Sequence, residues 1–474
     1  MRRAARARRA RALLPTLVLV GPGLAVQILA ASVAGALLVG SAARAEANDV
    51  GRATADPASL DERTHPLPAW RRGRELLARA GLRPEAVYTL DVLRNAKGGL
   101  ARKTDALGNL DLTLTWQPEA WLGRDLGTFF LYGLVNHGGR PSRAVGDGQI
   151  ADNIEAPDAA RLFEAWWQKG LLDGRASLLL GLYDVNSEFY AVESAELFVN
   201  SAFGMGSELG NSGRNGPSIF PATSLGARVK LEPVHGYEFQ AAVLDGVPGD
   251  PDHPARTRIE LGSDDGAFLI AELARHWQRS PTRDSVDVLR RTQRRRIGRA
   301  YDQIPDFLRI AIGSWLYTAR LPHLARTGVD GEPAERHGLP GVYLIADFDA
   351  TALDPLHARG LSAFLQAGWA DGDVGPYAGY FGGGFKYTGL IAFRPQDETG
   401  FAVAAALNGR AYTEARQRSG ERPAAGEVAF EWTHRVVVTP WLSLQGDLQY
   451  VLDPGGLKSR SDALIGGIRF VVSL

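Results

Sequence analysis

"ALIGGIRFVVSL" (Ala463–Leu474) alternates to its last residue. Leu464, Gly466, Ile468, Phe470, Val472 and Leu474 share one side, and Arg469 and Ser473 lie on the other. A period of two is the geometry of a β-strand. One face of this strand wants an apolar medium and the other tolerates a guanidinium. A strand that runs to the carboxylate is expected where it closes a barrel.

The same alternation recurs upstream. "NLDLTLTW" sets Leu110, Leu112, Leu114 and Trp116 against Asp111, Thr113 and Thr115. "LGARVKLEP" sets Leu225, Ala227, Val229 and Leu231 against Arg228 and Lys230, and "YEFQAAVLDG" sets Tyr237, Phe239, Ala241 and Val243 against Glu238 and Gln240. "FLRIAIGSWLY", "VYLIADFDA" and "WLSLQGDLQYVLDP" read alike, with Arg309, Asp347 and Asp447 among their polar positions. Between Val87 and the C-terminus the pattern predicts about sixteen strands. The fold class expected is all-β: a transmembrane antiparallel β-barrel with short helices before the barrel and in a long loop. Trp116, Trp369, Tyr380 and Trp441 fall at strand ends, as interfacial aromatics do.

Two segments read as helices. In 68–81, Trp70, Leu76, Leu77 and Ala80 share a face and Gly81 ends the run. In 158–170, "DAARLFEAWWQKG", Asp158 is the N-cap and Gly170 the terminator. Long connections are expected at 136–175, 184–223 and 277–306. The last holds an arginine run over 290–299 that reads as a solvated loop, or as a group that meets lipopolysaccharide phosphates or a pore entrance.

The N-terminus is a targeting segment. Arg2, Arg3, Arg6, Arg8, Arg9 and Arg11 precede an apolar stretch from Leu13 to Val39, and Ala43-Arg44-Ala45 has the small-x-small form that signal peptidase reads. The division expected is a cleaved signal peptide over 1–45, a periplasmic leader with a short helix over 46–86, and the barrel over 87–474, with export by the general secretory route. Residues 1–45 hold seven arginines and no acid, so the rest keeps 46 of the 53 basic side chains against all 53 acidic ones, a net −7. That charge speaks against a nucleic-acid partner. Cysteine is absent, so no disulfide framework stabilises the exported chain.

No enzymatic constellation stands out. The nine histidines show no H-E-x-x-H spacing, and neither a nucleophile elbow nor a phosphate-binding loop is present. Gly382–Phe385 ("GGGF") reads as a turn or a close strand approach, and Asp264-Asp265 sits in the turn-like "GSDDG". No cofactor or metal is expected.

Two blocks carry a family resemblance. "LFEAWWQKGLLDGRASLLLGLYDVNSEFYAVESAELFVNSAFG" with "GPSIFPATSLGARVKLEP", within residues 161–233, and "RVVVTPWLSLQGDLQYVLDPGG" (435–456) resemble the OprB-type carbohydrate-selective porin family. The resemblance implies a sixteen-stranded outer-membrane barrel of a Gram-negative cell and passive diffusion of glucose and other small sugars into the periplasm. A general or anion-preferring porin without sugar selectivity is the alternative, and a structural barrel or a secreted polysaccharide-binding β-domain a third reading. The family's selectivity is attributed to arginines and other polar side chains, with aromatics, at a constriction. Terminal Leu474, where outer-membrane proteins usually end in an aromatic, departs from the pattern.

On this reading Leu178, Leu180 and Leu182 face lipid, and Ser177 and Tyr183 face the lumen. Asp184, Asn186 and Glu188 begin a loop that folds inward, with Phe189, Phe198, Phe203 and Phe220 as stacking candidates. Strand parity assigns Arg228, Lys230, Arg309, Arg435 and Arg469 to the lumen as bases. It assigns Asp111, Glu238, Glu272, Glu431 and Asp447 as acids, with Arg228 and Lys230 the strongest pair. Guanidinium donates to sugar hydroxyls and carboxylate accepts from them. The partners expected are small sugars, outer-membrane lipid and lipopolysaccharide, and the barrel-assembly machinery, with the barrel a monomer or a homotrimer.

Overall fold

The computed structural model describes residues 68–474 apart from 258, 260, 279–305, 329–330 and 350–358. The signal peptide, most of the leader and the arginine run at 290–299 lie outside the described residues.

Sixteen strands are found among the described residues. They are β1 (Leu82–Gly99), β2 (Lys103–Trp116), β3 (Thr128–Gly138), β4 (Ala159–Leu171), β5 (Ala176–Tyr183), β6 (Ser224–Val234), β7 (Tyr237–Asp245) and β8 (Ala267–Gln278). The second half holds β9 (Asp306–Thr327), β10 (Pro333–Asp349), β11 (Gly360–Ala370), β12 (Tyr377–Thr388), β13 (Glu398–Asn408), β14 (Gly426–Thr439), β15 (Leu442–Leu452) and β16 (Ser461–Ser473). Each strand pairs with its sequence neighbours, and β1 pairs antiparallel with β16 to close the barrel, Asp91 opposite Arg469. β1 thus begins before position 87. Helix α1 (Pro68–Ala78) precedes the barrel, and α2 (Arg410–Arg418) lies in the β13–β14 connection.

The strands alternate because their two faces meet different media. In β9, Ala311, Trp315, Tyr317 and Leu321 are buried, whereas Ile310, Ile312 and Leu316 are exposed. The exposed positions of the other strands are apolar as well: Leu112, Leu131, Leu180, Val229, Phe239, Val243, Leu344, Trp432, Leu448 and Ile468. Apolar side chains turned outward all round a closed barrel make the face that meets hydrocarbon. Leu182 keeps that outward parity but is buried.

Residues 158–170 form no helix; they are β4. The register between β3 and β4 shifts at Tyr132/Gly133, where Glu164 faces Tyr132 and Leu162 faces Gly133. Phe163 is the extra residue of this bulge. Phe163 and Glu164 are both buried, which breaks the alternation and imitates helical spacing. "GGGF" lies inside β12, so it is a close strand approach and not a turn.

The interior is filled by two connections. Residues 184–223, between β5 and β6, cross the barrel. Gln240 Nε2 donates to Glu188 O (3.0 Å), Arg309 Nη1 to Ala191 O (2.8 Å), Gln445 Nε2 to Leu197 O (2.7 Å), Tyr380 Oη to Ala202 O (2.6 Å) and Gln366 Nε2 to Phe203 O (3.1 Å). Glu272 accepts from Tyr190 N, Asp347 from Ser194 N, and Glu431 from Val199 N and Asn200 N. These partners stand on β7 to β12, β14 and β15. Residues 139–158 fill the sector beside β14–β16, where Glu427 accepts from Gly148 N and Gln149 N. The two insertions join where Asn153 N donates to Val199 O (2.8 Å).

Packing follows the same line. Phe189, Tyr190, Phe198, Phe203 and Leu209 share a buried cluster with Phe364, Tyr343 and Tyr380 of the wall. The wall is thinned to admit them: a Cβ on Gly400 would lie 2.9 Å from Leu197 Cδ2 and Phe198 Cζ, and one on Gly368 would collide with Glu208. Phe198 lies 5.0 Å from Phe203 and 5.8 Å from Phe364, ring centre to centre. Phe198→Ala removes both contacts and costs the insertion about 3–5 kcal/mol. The barrel, held by its strands, is expected to keep its heat-modifiable mobility on a gel while protease cleavage within 184–223 rises. Unchanged cleavage would mean that the rings do not hold the segment.

Candidate functional site

The inserted segment turns inward as soon as it leaves β5. Asp184 Oδ1 accepts from Asn186 N (2.8 Å), which turns the chain inward, and Asn186 Nδ2 donates to Phe189 O and Gly204 O (3.2 Å each). The turn carries Glu188 to the wall at β6. There Arg228 Nε donates to Glu188 Oε2 (2.7 Å) and Nη2 to Glu188 Oε1 (2.9 Å). Arg228 Nη1 donates to Ser177 Oγ (2.6 Å) and Ser177 O, and Nη2 also to Gln168 Oε1 (3.0 Å). All five guanidinium N–H groups are thereby used, and the residue is 1% exposed. Arg228 is a clamp that fastens the insertion, with Tyr183 Oη adding a bond to Glu188 (2.6 Å).

Lys230, two residues on, is placed differently. Its Nζ lies 3.3 Å from Glu188 and 3.3 Å from Glu238, and its side chain is 21% exposed. Glu238 is 24% exposed. This bridge faces water. Burial opposes the charge on Glu188, but Lys230 and Arg228, with bonds from Tyr183 and Arg228, outweigh it and hold the carboxyl at about 2.

The next cluster round the wall is closed. Glu272 is buried and accepts from Gln240 Nε2 (3.1 Å), Tyr343 Oη (2.7 Å) and Arg309 Nη2 (2.5 Å). Arg309 bonds Glu272 and Ala191 O. Farther round, on β12–β14, Glu398 pairs with Arg435 and lies 3.7 Å from Lys386 Nζ; Arg435 is 36% exposed and Lys386 less so. At the β1–β16 seam, Arg469 binds Asp91 (2.7 Å), Asp152 (3.2 Å) and Asn153 (2.7 Å). Asp447 is buried with Gln449 Nε2 at 2.9 Å, near Glu431.

The wall of β2–β4 is a polar surface with aromatic faces. Asn136 donates to Asn109 (2.7 Å), Asn109 to Asp111 (2.5 Å) and Tyr132 Oη to Asp111 (2.7 Å). Trp166 stacks on Phe130 at 4.8 Å, and its Nε1 donates to Glu164 (3.1 Å).

The sequence candidates therefore separate. Lys230, Glu238 and Arg435 meet the water-filled space. Arg228, Arg309, Arg469, Glu272 and Glu431 anchor the insertions or the seam, and Asp447 is buried in the wall beside Glu431 and Gln449. Tyr183, Phe189, Phe198 and Phe203 are buried against the wall, and Phe220 is half-buried near Phe163. Missed by sequence reasoning were Lys386 and Glu398, which parity on β12 and β13 could have found. Tyr132 and Trp166 were missed too, Trp166 because β4 was read as a helix.

Comparison with known proteins agrees with this architecture. The model of the carbohydrate-selective porin OprB family matches residues 101–474. Porin B of Pseudomonas aeruginosa is 24% identical over 331 residues, 65% of this chain and 67% of that protein. The high-pH structure of Pseudomonas putida OprB superposes on 85% of this chain and 97% of its own, with TM-score 0.70 and 19% identity. The low-pH structure of the same protein covers 86% and 98%, with TM-score 0.51 and 17% identity. At these identities the structures show the fold; the family match reaches further. The chain belongs to the OprB family of carbohydrate-selective porins, and it is a channel of the outer membrane rather than an enzyme.

Proposed function

We propose that this porin passes small neutral sugars, glucose among them, down their gradient into the periplasm, and that Lys230, Glu188 and Glu238 form the polar grip at its constriction. The observation that carries this reading is the water-facing bridge in which one ammonium is shared by two carboxylates, beside an insertion that narrows the barrel. Donors and acceptors within reach of one another suit hydroxyls, which do both. Because Lys230 and Arg435 each stand against a carboxylate, these positions lack the one-signed field that draws ions. A selective pore must also release what it holds, and a shared, hydrated ammonium binds weakly. Arg435, Glu398 and Lys386 supply a second mixed-charge group, and Tyr132 and Trp166 offer ring faces near Asp111 and Glu164. We propose also that residues 1–45 direct export by the general secretory route and are removed after Ala45.

Liposome swelling tests the reading. Glucose is expected to enter well ahead of a neutral non-sugar and of an anion of similar size. Equal entry of all three would establish an unselective pore, and faster entry of the anion the alternative one.

Two substitutions separate the clamp from the grip. Lys230→Ala is expected to leave the fold intact and lower glucose entry severalfold, at a cost of about 1 kcal/mol in the lost contact. Arg228→Ala leaves Glu188 without its buried partner, at about 3–5 kcal/mol. That change is expected to free the insertion, so that swelling rises for all solutes and selectivity falls. Like effects from both variants would overturn the division of roles.

A further inference from the structure

Helix α1 supplies none of the residues of the polar groups described above, and its sequence is amphipathic. Leu76 and Leu77 are exposed, Leu76 to 63%, and with Trp70 and Ala80 they share one face. Arg72 on the helix and Arg79 in the turn that follows it are exposed, without a carboxylate partner among the described residues. Trp70 and Ala80 are half-buried, so Leu76 and Leu77 are the part of this face left uncovered. The helix is held by its end, where Gln117 N donates to Gly81 O (2.9 Å), and by the longer contact between Arg74 and Glu85 (3.9 Å).

The surroundings continue the surface. Trp116 and Phe129 stand together at the base of β2 and β3, 5.4 Å between ring centres. Beyond them the β2–β3 turn exposes Trp121, to 69%, with Leu122 and Leu126, and the β4–β5 turn exposes Leu171 and Leu172. This end of the barrel holds the C-terminal end of β16 and the short turns between β4 and β5, β6 and β7, and β14 and β15. Short turns mark the periplasmic side. The exposed apolar side chains of α1 and of these turns thus lie at the periplasmic end of the lipid-facing strands.

We infer that α1 is an interfacial anchor, with Leu76 and Leu77 in the inner leaflet and Arg72 and Arg79 on the headgroups of anionic phospholipids. An amphipathic helix with arginines flanking its apolar face is built for that plane. The place of these side chains at the end of the lipid-facing strands argues for lipid as the occupant, and the unpaired guanidiniums argue for anionic headgroups.

The absence of cysteine allows single labels on the full chain. Spin labels at Leu76→Cys and at Glu75→Cys are compared in vesicles of phosphatidylethanolamine with phosphatidylglycerol, and in vesicles with phosphatidylcholine in its place. The label at 76 is expected to be relaxed by oxygen and shielded from an aqueous nickel chelate, and the label at 75 the reverse. Phosphatidylglycerol is expected to favour the immersed state, and R72E and R79E to weaken that preference roughly fivefold each, as high salt also would. A label at 76 reached by the chelate in both vesicles would overturn the anchor. Shielding from oxygen and chelate alike would also overturn it, in favour of a protein neighbour. Equal immersion in both compositions would overturn the anionic headgroup. Glucose swelling is expected to be unchanged in R72E and R79E, so this result stands or falls apart from the sugar reading.

Discussion

A chain that crosses the inside of a barrel brings its backbone away from bulk water, and every N–H and C=O it buries needs a partner. No neighbouring strand can supply those bonds, because the strands are already paired with one another. Side chains of the wall must do so. Gln240, Glu272, Arg309, Asp347, Gln366, Tyr380, Glu431 and Gln445 each bond the backbone of 188–203. The polar interior of this barrel is thus largely a scaffold for the insertion. Only what remains after that demand is met is open to a solute.

This order of claims explains which charges are free. Arg228 has a planar fork whose donors can all be filled at once, and the structure fills them. Lys230 presents a compact ammonium on a flexible stem, bonded on two sides and wet on the rest. The rigid cation therefore fixes the geometry, and the flexible one stays partly exposed. A buried pair of this kind is weak evidence for net stability but strong evidence for position, since removing one partner strands the other.

Much of this was legible in the sequence because lipid imposes a strict rule on one face. The parity of "FLRIAIGSWLY" or "WLSLQGDLQYVLDP" follows from hydrocarbon outside, whatever lies within, and sixteen strands follow from counting such runs. β4 was illegible because one extra residue at Phe163 puts two neighbours on the inner side and erases the period. The division of Arg228 from Lys230 was illegible for another reason. Parity reports which face a side chain occupies, whereas exposure depends on where the insertion lands, and that is set by contacts between residues far apart in the chain. Glu188 stood in plain view in "DVNSEF" as part of a polar turn; its meaning came only from the arginine it meets.

The small residues of β12 and β13 complete the account. Gly400 on β13 lies against Leu197 and Phe198, and Gly382 and Gly384 on β12 leave room for Tyr380, which bonds Ala202 O, and for Ala402 of the neighbouring strand. Glycine weakens a strand, so a run of three in β12 calls for a compensating gain. The gain is close packing: the run seats Tyr380 and Ala402, Gly400 and Gly368 admit Phe198 and Glu208, and the aromatic contacts that follow bind the segment along one side of the barrel. Thin wall on one side and polar clamp on the other act together. Leu197 and Phe198 are seated by the first, Glu188 by the second, and the residues between them are drawn across the channel at a fixed height. On the reading proposed above, Lys230 and Glu238 on β6 and β7, less buried than Arg228, are the side chains beside this bridge that a solute would meet.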